Sequence, residues 1–274
     1  MKSARVWCFL FIVGCGPNVS GSREEVVAPP VGDAQRQPDL AGAAEAACPS
    51  VAAESAYCVT SSEGDGYLVG LDSGQLCALD TGAGLLSAAP DGCASRAWLR
   101  DDVLTCTAPG TPHGNALLNR LQLPAGSWDF GNLACGAATR WSDGFVVTAG
   151  EGHEAGLLYF EDFPQAAAAG ALSTMPVVLN SACIAAQHDV LYVAGSTNDI
   201  ERFQLPDGEP LPALTLDIVA LPVTGLSVLL DGRVAVLSRD VIYVMDASSG
   251  AVLREIAPSP QISTLAGLTC RESQ

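Results

Sequence analysis

Aspartates recur at regular intervals after residue 60 and are the most evenly spaced groups in the chain that could bind a ligand. Each lies one to three residues before an apolar segment, and neighbours are 37 to 46 residues apart. The set consists of Asp65, Asp102, Asp143, Asp189 and Asp231. A ring of such carboxylates could bind Ca²⁺ or a cationic ligand, because hard cations prefer several oxygen ligands. Aspartate is equally a common turn residue, so we assign no metal or cofactor from this pattern.

The cysteines form a second set. The chain has ten, of which Cys8 and Cys15 lie in the first 15 residues. The other eight are Cys48, Cys58, Cys77, Cys93, Cys106, Cys135, Cys183 and Cys270. An even number of cysteines in an exported chain predicts disulfide bonds. No C-x-x-C pair is present, so the spacing does not favour a zinc site.

The histidines give little support for catalysis. The chain has three, His113, His153 and His188. No G-x-S-x-G or H-E-x-x-H motif accompanies them, and the evenly spaced acids lack the context of a glycosidase pair. Only His188 directly precedes a predicted strand near the expected channel. We therefore assign no catalytic residue, and a hydrolase or lyase stays an alternative to a non-enzymatic role.

The charge balance excludes two classes of partner. The 274 residues include 13 basic and 30 acidic ones, and Lys2 is the only lysine. Without residues 1–14 the chain keeps 11 arginines and all 30 acids, a net charge of −19. Such a surface repels phosphate backbones and anionic membranes, so we expect no nucleic-acid binding.

The N-terminus has the features of an export signal. Lys2 and Arg5 precede the apolar run at residues 6–14, which is too short to span a bilayer. The sequence Ile12-Val13-Gly14-Cys15 then resembles a bacterial lipobox, in which an aliphatic, a variable and a small residue precede an acylated cysteine. The resemblance implies a signal peptide at 1–14, lipid attachment and palmitoylation at Cys15, and a cell-envelope lipoprotein anchored to a bilayer. Gly16 in place of aspartate implies the outer membrane, with the periplasmic or surface side left open.

Residues 15–47 are rich in proline, glycine and alanine and have no aromatic residue after Cys15. This composition predicts a flexible linker between the lipid and a folded domain at 48–274. Within that domain, the segments at 122–126 (QLPAG) and 204–208 (QLPDG) are 82 residues apart, which is two units of about 41. A second series of strand starts has similar intervals, namely Leu68, Val103, Phe145, Val190 and Val234.

Each unit contains several short apolar runs separated by turns. In the last unit, Asp231-Gly232 separates two such runs, and Asp-Gly is a strong hairpin signal in which both central residues need positive φ. Arg239-Asp240 forms the next turn. Four antiparallel strands in every 40-odd residues predict an all-β protein, a β-propeller of about five four-stranded blades. The segment at 263–270 either completes the ring near the N-terminus or belongs to a sixth blade.

Two segments, residues 67–86 and 234–253, resemble the propeller repeat of pyrroloquinoline-quinone (PQQ) proteins. In that family a "vyvgs" strand and an "lyAlD" strand alternate with glycine turns. The resemblance implies a quinoprotein-like propeller, although the family's docking tryptophan is absent, with Leu86 and Leu253 in its neighbourhood. The expected ring also predicts a disulfide between Cys270 and either Cys48 or Cys58, joining the two ends of the domain.

These patterns lead to a functional hypothesis. A propeller presents loops from every blade on two faces, and the domain also resembles in class the propeller lipoprotein of outer-membrane protein assembly. We therefore expect a non-enzymatic platform that binds an envelope protein. A ligand- or Ca²⁺-binding module is the first alternative, and a propeller hydrolase or lyase is the second.

Overall fold

The computed structural model describes residues 47–62, 65–79, 96–99, 102–106, 115–120, 123–129, 134–142, 144–151, 154–160, 173–179, 183–194, 197–218, 222–257, 262 and 265–272. Side chains are described chiefly within residues 47–79, 137–146 and 183–272. Backbone contacts divide the chain into residues 1–37 and 38–274, and every described residue lies in the second unit. Cys8, Cys15, Cys93 and Asp143 lie outside the described residues.

The described elements are one short helix and twenty strands. The helix is α1 (Pro49–Ala52), and the next three strands are β1 (Ala56–Ser62), β2 (Asp65–Gly70) and β3 (Leu76–Leu79). Then follow β4 (Arg96–Leu99), β5 (Asp102–Cys106), β6 (Asn115–Arg120), β7 (Leu123–Asp129), β8 (Ala134–Trp141), β9 (Gly144–Glu151), β10 (Glu154–Phe160) and β11 (Ser173–Leu179). The last nine are β12 (Cys183–Gln187), β13 (Val190–Ala194), β14 (Asp199–Gln204), β15 (Glu209–Thr215), β16 (Val223–Val228), β17 (Arg233–Ser238), β18 (Val241–Asp246), β19 (Val252–Ile256) and β20 (Leu265–Glu272).

The strands form five antiparallel sheets of four. Sheet 1 has the order β20-β1-β2-β3, and sheets 2 to 5 are β4–β7, β8–β11, β12–β15 and β16–β19. The first strands of the sheets contact one another in the closed order β20, β4, β8, β12, β16 and back to β20. Five four-stranded sheets around one axis are a β-propeller. The predicted fold class and the five-blade count are confirmed, because residues 265–272 complete sheet 1.

The residues become less buried with distance from the axis, which explains their sequence pattern. In sheet 5, every residue of β17 after Arg233 is buried, because a strand near the axis is covered on both faces by neighbouring sheets. The outermost strand β19 buries only Ile256 completely. Apolar layers separate the sheets, and the one between sheets 4 and 5 contains Tyr192, Leu226, Val236 and Met245.

The unit boundaries predicted for the first sheet are shifted by one strand. Val103, Val190 and Val234 lie on the second strand from the axis, whereas Leu68 lies on β2, the third strand of sheet 1. The shift arises because the innermost strand of sheet 1 is β20, from the other end of the domain. The two segments that resemble PQQ-type repeats therefore occupy different positions, since residues 67–86 begin on the third strand and residues 234–253 on the second.

The hairpin turns of sheet 5 also differ from the prediction. Asp231-Gly232 has positive φ only at Gly232 (85°), within a longer turn that Leu229 N–H closes by donating to the carbonyl of Arg233 at 2.9 Å. The two-residue turn with positive φ at both positions is Arg239-Asp240, at 44° and 67°. Its strands, β17 and β18, pair directly beside it, which is the geometry of a type I′ hairpin.

Polar groups concentrate where sheet 5 meets sheet 1, a region that we call the closure seam and define by Ser55, Asp72, Asp231, Arg233 and Glu272. The Arg233 guanidinium binds Asp231 at 2.6 Å and Asp72 at 3.2 Å. Glu272 accepts a hydrogen bond from Asp231 N–H at 2.9 Å. Hydrogen bonds from Ser55, followed by the charge of Arg233, hold the pKa of the Asp72 carboxyl below its usual value. The seam therefore connects segments more than 150 residues apart in sequence.

Two disulfides lie in the same part of the molecule. Cys58 on β1 bonds to Cys270 on β20, with 3.9 Å between their Cα atoms. This is one of the two pairings predicted for Cys270, and it covalently attaches the innermost strand of sheet 1. Cys48 instead bonds to Cys77 and ties α1 to β3. Cys183 is also disulfide-bonded.

Candidate functional site: the channel mouth

In sheets 3, 4 and 5 the turns that join the first and second strands lie together at one end of the ring. In sheets 3 and 4 these are two-residue turns, with Ser142 at φ 53° and His188 at φ 51°. In each of these turns the first residue has left-handed φ, as the first central residue of a tight hairpin turn does. The turns leave the residues beside them at the end of the channel.

A cavity of about 630 Å³ opens between these turns, and we call it the channel mouth. Its walls are the ends of the innermost strands of sheets 3, 4, 5 and 1 together with the turns that follow three of them. The volume lies within the range of roughly 300–1,000 Å³ that small-ligand sites occupy. Its rim includes the charged, aromatic and apolar side chains of Arg140, Trp141, His188, Asp189, Leu230 and Arg271.

Two buried hydroxyls support the wall of the channel mouth. Thr139 Oγ1 of sheet 3 accepts a hydrogen bond from Ala186 N–H of sheet 4 at 2.9 Å. Ser227 Oγ of sheet 5 accepts one from Cys270 N–H of sheet 1 at 3.0 Å. Both side chains are buried, where an unsatisfied N–H costs about 1–3 kcal/mol. These bonds fix the spacing of the innermost strands below the rim.

Trp141 and Asp189 form a fixed pair at the rim. The indole Nε1 of Trp141 donates to Asp189 Oδ1 at 3.4 Å, and the indole packs edge-on against Tyr159 with 4.9 Å between ring centroids. The backbone carbonyl of Asp189 accepts hydrogen bonds from Gln204 Nε2 and Leu205 N–H, each at 2.8 Å. The carboxylate of Asp189 is therefore held in one orientation at the edge of the cavity.

The remaining rim residues are more exposed. Arg140 is exposed and has no hydrogen bond or ion pair in the described part of the chain. His188 contacts Gln187 Nε2 through Nδ1 at 3.4 Å. Leu230 is 68% exposed, although its neighbour Leu229 is buried in the layer between sheets 5 and 1. The mouth thus offers a cation, a carboxylate, an aromatic face and an apolar side chain.

The predicted aspartate ring is only partly assembled. Asp65 pairs with Ser62 across the turn between the second and third strands of sheet 1, so it lies at the opposite end of the sheets from Asp189 and Asp231. Asp231 is engaged by Arg233, and Asp102 begins β5. Asp189 is the only one of the five that lines the cavity among the described residues. No cluster of three metal-binding side chains occurs in the described ranges, and calcium binding stays a prediction.

Cys58, Cys93 and Cys135 each lie ten residues before a predicted strand start, which predicts a common position on the innermost strands, with Cys183 close to it. The structure bears this out for two of the described cysteines and not for the third. Cys183 lies on an innermost strand, as does Cys135, but Cys58 lies on the second strand of sheet 1. The reason is again that β20 supplies the first strand of that sheet. Cys270 lines the channel mouth and Cys106 lies on β5. The lipid attachment proposed at Cys15 lies outside the described residues.

Sequence reasoning missed Arg140, Trp141 and Leu230. None belongs to a motif, and their common feature is only their place beside a first-to-second-strand turn. The signal available was the parallel between Trp141-Ser142-Asp143 and Gln187-His188-Asp189, which aligns the two turns. His188, singled out because it precedes a strand near the channel, does lie at the mouth.

Comparisons with known proteins add little beyond the fold. No family model matches the chain, and no curated protein matches it. Among solved structures, the glutaminyl cyclase of Myxococcus xanthus is 12% identical with a TM-score of 0.46, covering 66% of this chain and 72% of that one. A chain of a nidogen/laminin complex is 8% identical with a TM-score of 0.46, covering 80% and 99% respectively. A chain of a mitotic checkpoint complex is 14% identical with a TM-score of 0.41, covering 62% and 54%.

None of these likenesses is strong enough to carry a function to this chain. The propeller fold follows from the five sheets and the closed order of their first strands. No helix in the described ranges is long and apolar enough to cross a membrane.

Proposed function

We propose that the chain is an exported lipoprotein of the cell envelope, anchored to the outer membrane through Cys15, whose propeller is a non-enzymatic platform for binding another protein. The sequence Ile12-Val13-Gly14-Cys15 supports the anchor. The resemblance of residues 67–86 and 234–253 to PQQ-type repeats supports a quinoprotein-like ancestry for the propeller.

Disulfide bonding supports export. Cys48–Cys77 and Cys58–Cys270 join elements across the first sheet, and Cys183 is bonded as well. Structural disulfides form and persist in oxidising compartments and are rare in the cytosol. An envelope location supplies such a compartment for this chain.

The channel mouth carries the binding part of the proposal. Two large apolar residues are exposed in the described part of the chain, and Leu230 is the more exposed of them. It lies at the rim of the cavity of about 630 Å³. Aromatic and arginine side chains are enriched where proteins bind one another, and Trp141 and Arg140 lie at the same rim. Leu230 thus stands beside aromatic and charged groups around one cavity, and this combination supports the mouth as the binding surface.

The anchor is tested by metabolic labelling with palmitate. The wild-type chain incorporates label and sediments with the outer membrane, and the Cys15→Ser variant does neither because the acylated thiol is gone. Cys270 is not a control here, since it forms a disulfide, so the matched control is Cys8→Ser within the signal segment, which keeps the label. Labelling that persists in Cys15→Ser contradicts the anchor.

The platform is tested by site-specific photocrosslinking in whole cells. A photoreactive residue at position 230 is expected to give one or a few discrete protein adducts. The same residue at position 253 is the control, because Leu253 is also exposed (58%) but lies on the outermost strand of sheet 5. Equal adduct patterns at both positions, or none at 230, contradict a platform at the channel mouth.

A further inference from the structure

Arg140 is an unusual residue for its setting. After loss of residues 1–14 the chain has 30 acids and 11 arginines, so most guanidinium groups can find a carboxylate. Arg233 binds two of them. Arg140, by contrast, is exposed at the cavity rim and has no partner among the described residues. An arginine held apart from abundant carboxylates is available for an anionic group from another molecule.

Asp189 limits which anion can bind beside Arg140. Its Oδ1 accepts from Trp141, and Oδ2 accepts no hydrogen bond within the described part of the chain. Glu272 also lines the mouth. Arg271 lines it as well, and the carboxylate of Asp189, at the same rim as Arg140, repels a multiply charged phosphate more than a single carboxylate. Oδ2 of Asp189 in turn suits a donor such as a peptide N–H.

The apolar side chains of the rim provide a further contact surface for a ligand. Leu230 is 68% exposed and Trp141 is half-buried, and both line the cavity. A ligand that covers them gains hydrophobic free energy of about 25 cal/mol for every Å² removed from water. The cavity of about 630 Å³ accommodates the last few residues of a chain, not a folded domain.

We propose that the channel mouth recognises the free C-terminus of a partner protein. The terminal carboxylate binds the Arg140 guanidinium, in the paired geometry that arginine offers to carboxylates. The last side chain is apolar and packs on Leu230 and Trp141, while Asp189 Oδ2 accepts a backbone N–H. This inference rests on the proposed platform function and names the part of the partner that the platform binds.

The test measures peptide binding to the full mature chain, acylated and held in detergent. The probes are N-terminally labelled pentapeptides with randomised apolar residues at the last two positions, made either as free acids or as C-terminal amides. Fluorescence polarisation is expected to show saturable binding of the acids and at least about tenfold weaker binding of the amides, because a hydrogen bond to a charged group is worth roughly 1.5–3 kcal/mol.

Two pairs of variants locate the binding. Arg140→Gln is expected to weaken binding of the free-acid peptides by about tenfold or more and to leave binding of the amides unchanged. Leu230→Ser is expected to weaken binding of both kinds of peptide. The matched controls are Arg202→Gln and Leu253→Ser, on outer strands of sheets 4 and 5, which bind like wild type. Thermal melting of each variant checks that the ring is intact.

Several results overturn the inference. Equal binding of acid and amide, unchanged binding by Arg140→Gln, or no binding of any peptide each excludes recognition of a C-terminal carboxylate. The photocrosslinking result at position 230 is independent of the carboxylate. If crosslinks form there while peptides fail to bind, the platform stands and only this inference is lost; if crosslinks also fail, the platform itself is wrong.

Discussion

The junction between sheets 4 and 5 and the closure seam between sheets 5 and 1 both bury an apolar layer, but only the seam adds a dense set of polar links. At the first junction the chain runs continuously from sheet 4 into sheet 5. At the seam, Arg233 binds Asp72, Arg254 Nη2 donates to the carbonyl of Ser73 at 3.0 Å, and Asp240 accepts from Leu265 N–H at 2.7 Å.

The difference reflects how far apart in sequence the packed segments are at each junction. Sheets 4 and 5 are kept close by the segment between β15 and β16, so their association costs little loop entropy. Arg233 of sheet 5 and Asp72 of sheet 1 are 161 residues apart, and within sheet 1 the bonded Cys58 and Cys270 are 212 residues apart. Closing so long a loop costs more. Ion pairs and hydrogen bonds at the seam, together with the Cys58–Cys270 disulfide in sheet 1, offset that entropy cost.

The largest expected effect comes from removing the disulfide that attaches β20. Replacing Cys58 and Cys270 together by alanine releases a cross-link that spans 212 residues, and the entropy model predicts a loss of about 5 kcal/mol in the free energy of unfolding. The matched control is the Cys48/Cys77 double alanine variant, which opens a 29-residue span and is expected to lose about 3.5 kcal/mol. Urea unfolding measures both, and an equal loss would contradict the special role of the seam.

A smaller loss is expected from adding one methyl group at the seam. A Cβ at Gly225 would lie 2.6 Å from Leu268 Cβ and 2.8 Å from Leu268 N on β20, so Gly225→Ala pushes the closing strand outward at a cost of about 1–3 kcal/mol. Gly232→Ala is the comparison, because no atom lies within 4 Å of its Cβ position and only its φ of +85° opposes the change. Thermal melting ranks the two, and a more stable Gly225→Ala variant would show that the seam is loosely packed.

Replacing Arg233 is expected to lower the free energy of unfolding by less than the two changes above. Arg233→Gln breaks contacts with Asp72 and Asp231. These carboxylates are 46% and 42% exposed, so solvent screens the pairs and we expect a loss of about 1 kcal/mol. Arg202→Gln is the control at sheet 4, where Arg202 bonds only within its own sheet, to the carbonyl of Pro212. Chemical denaturation that ranks Arg202→Gln as the more damaging change would reverse the comparison.

The smallest expected effect is on the pH dependence of protein stability, through Asp72 of the seam. The pKa of Asp72 is lower in the folded chain than its usual 3.8, first because Ser55 donates to it. A lowered folded pKa gives a stabilisation that is fully present above the usual value of 3.8 and is lost as the pH falls through the folded pKa. Asp72→Asn is therefore expected to show a smaller fall in Tm between pH 6 and pH 2.5 than the wild type.

Asp246 offers the matching control outside the seam. Hydrogen bonds from Ser248, then Ser249, lower the pKa of Asp246 to about 2 within a turn of sheet 5. Asp246→Asn removes the share of the acid response that comes from Asp246 itself. It should leave the Asp72 share in place, so its Tm still falls as the seam carboxyl is protonated. An identical acid response in Asp72→Asn and wild type contradicts the assignment of that response to the seam.

The sequence was sufficient to predict the repeat but not its starting point. Turns and apolar runs recur every 40-odd residues because each sheet repeats the same four-strand unit. Both QLP segments lie where the third strand passes to the fourth, although residues 205–208 form the turn in sheet 4 whereas residues 123–126 already belong to β7 in sheet 2. Leu68 was assigned to the wrong strand because local pattern carries no sign that β20 precedes β1 in space. That information lies in long-range pairing, such as Cys58 opposite Cys270.

The candidate site was less accessible to sequence reasoning. Asp189 was predicted and lies at the mouth, whereas Asp65 was predicted for the same ring and lies at the opposite end of its sheet. Arg140 and Leu230 gave no signal, because an exposed arginine and an exposed leucine are ordinary in a sequence. Their significance depends on the absence of partners and on the cavity beside them, which only three-dimensional structure supplies.

The placement of β20 has a consequence for biosynthesis. Because Leu265–Glu272 follows the other four sheets along the chain, the ribosome makes it more than 200 residues after the strand that it must join. Until then β1 presents an open hydrogen-bonding edge and Cys58 a reduced thiol, both able to react with neighbouring molecules. The first sheet therefore stays incomplete, and that thiol unpaired with its native partner, until the final strand has been made.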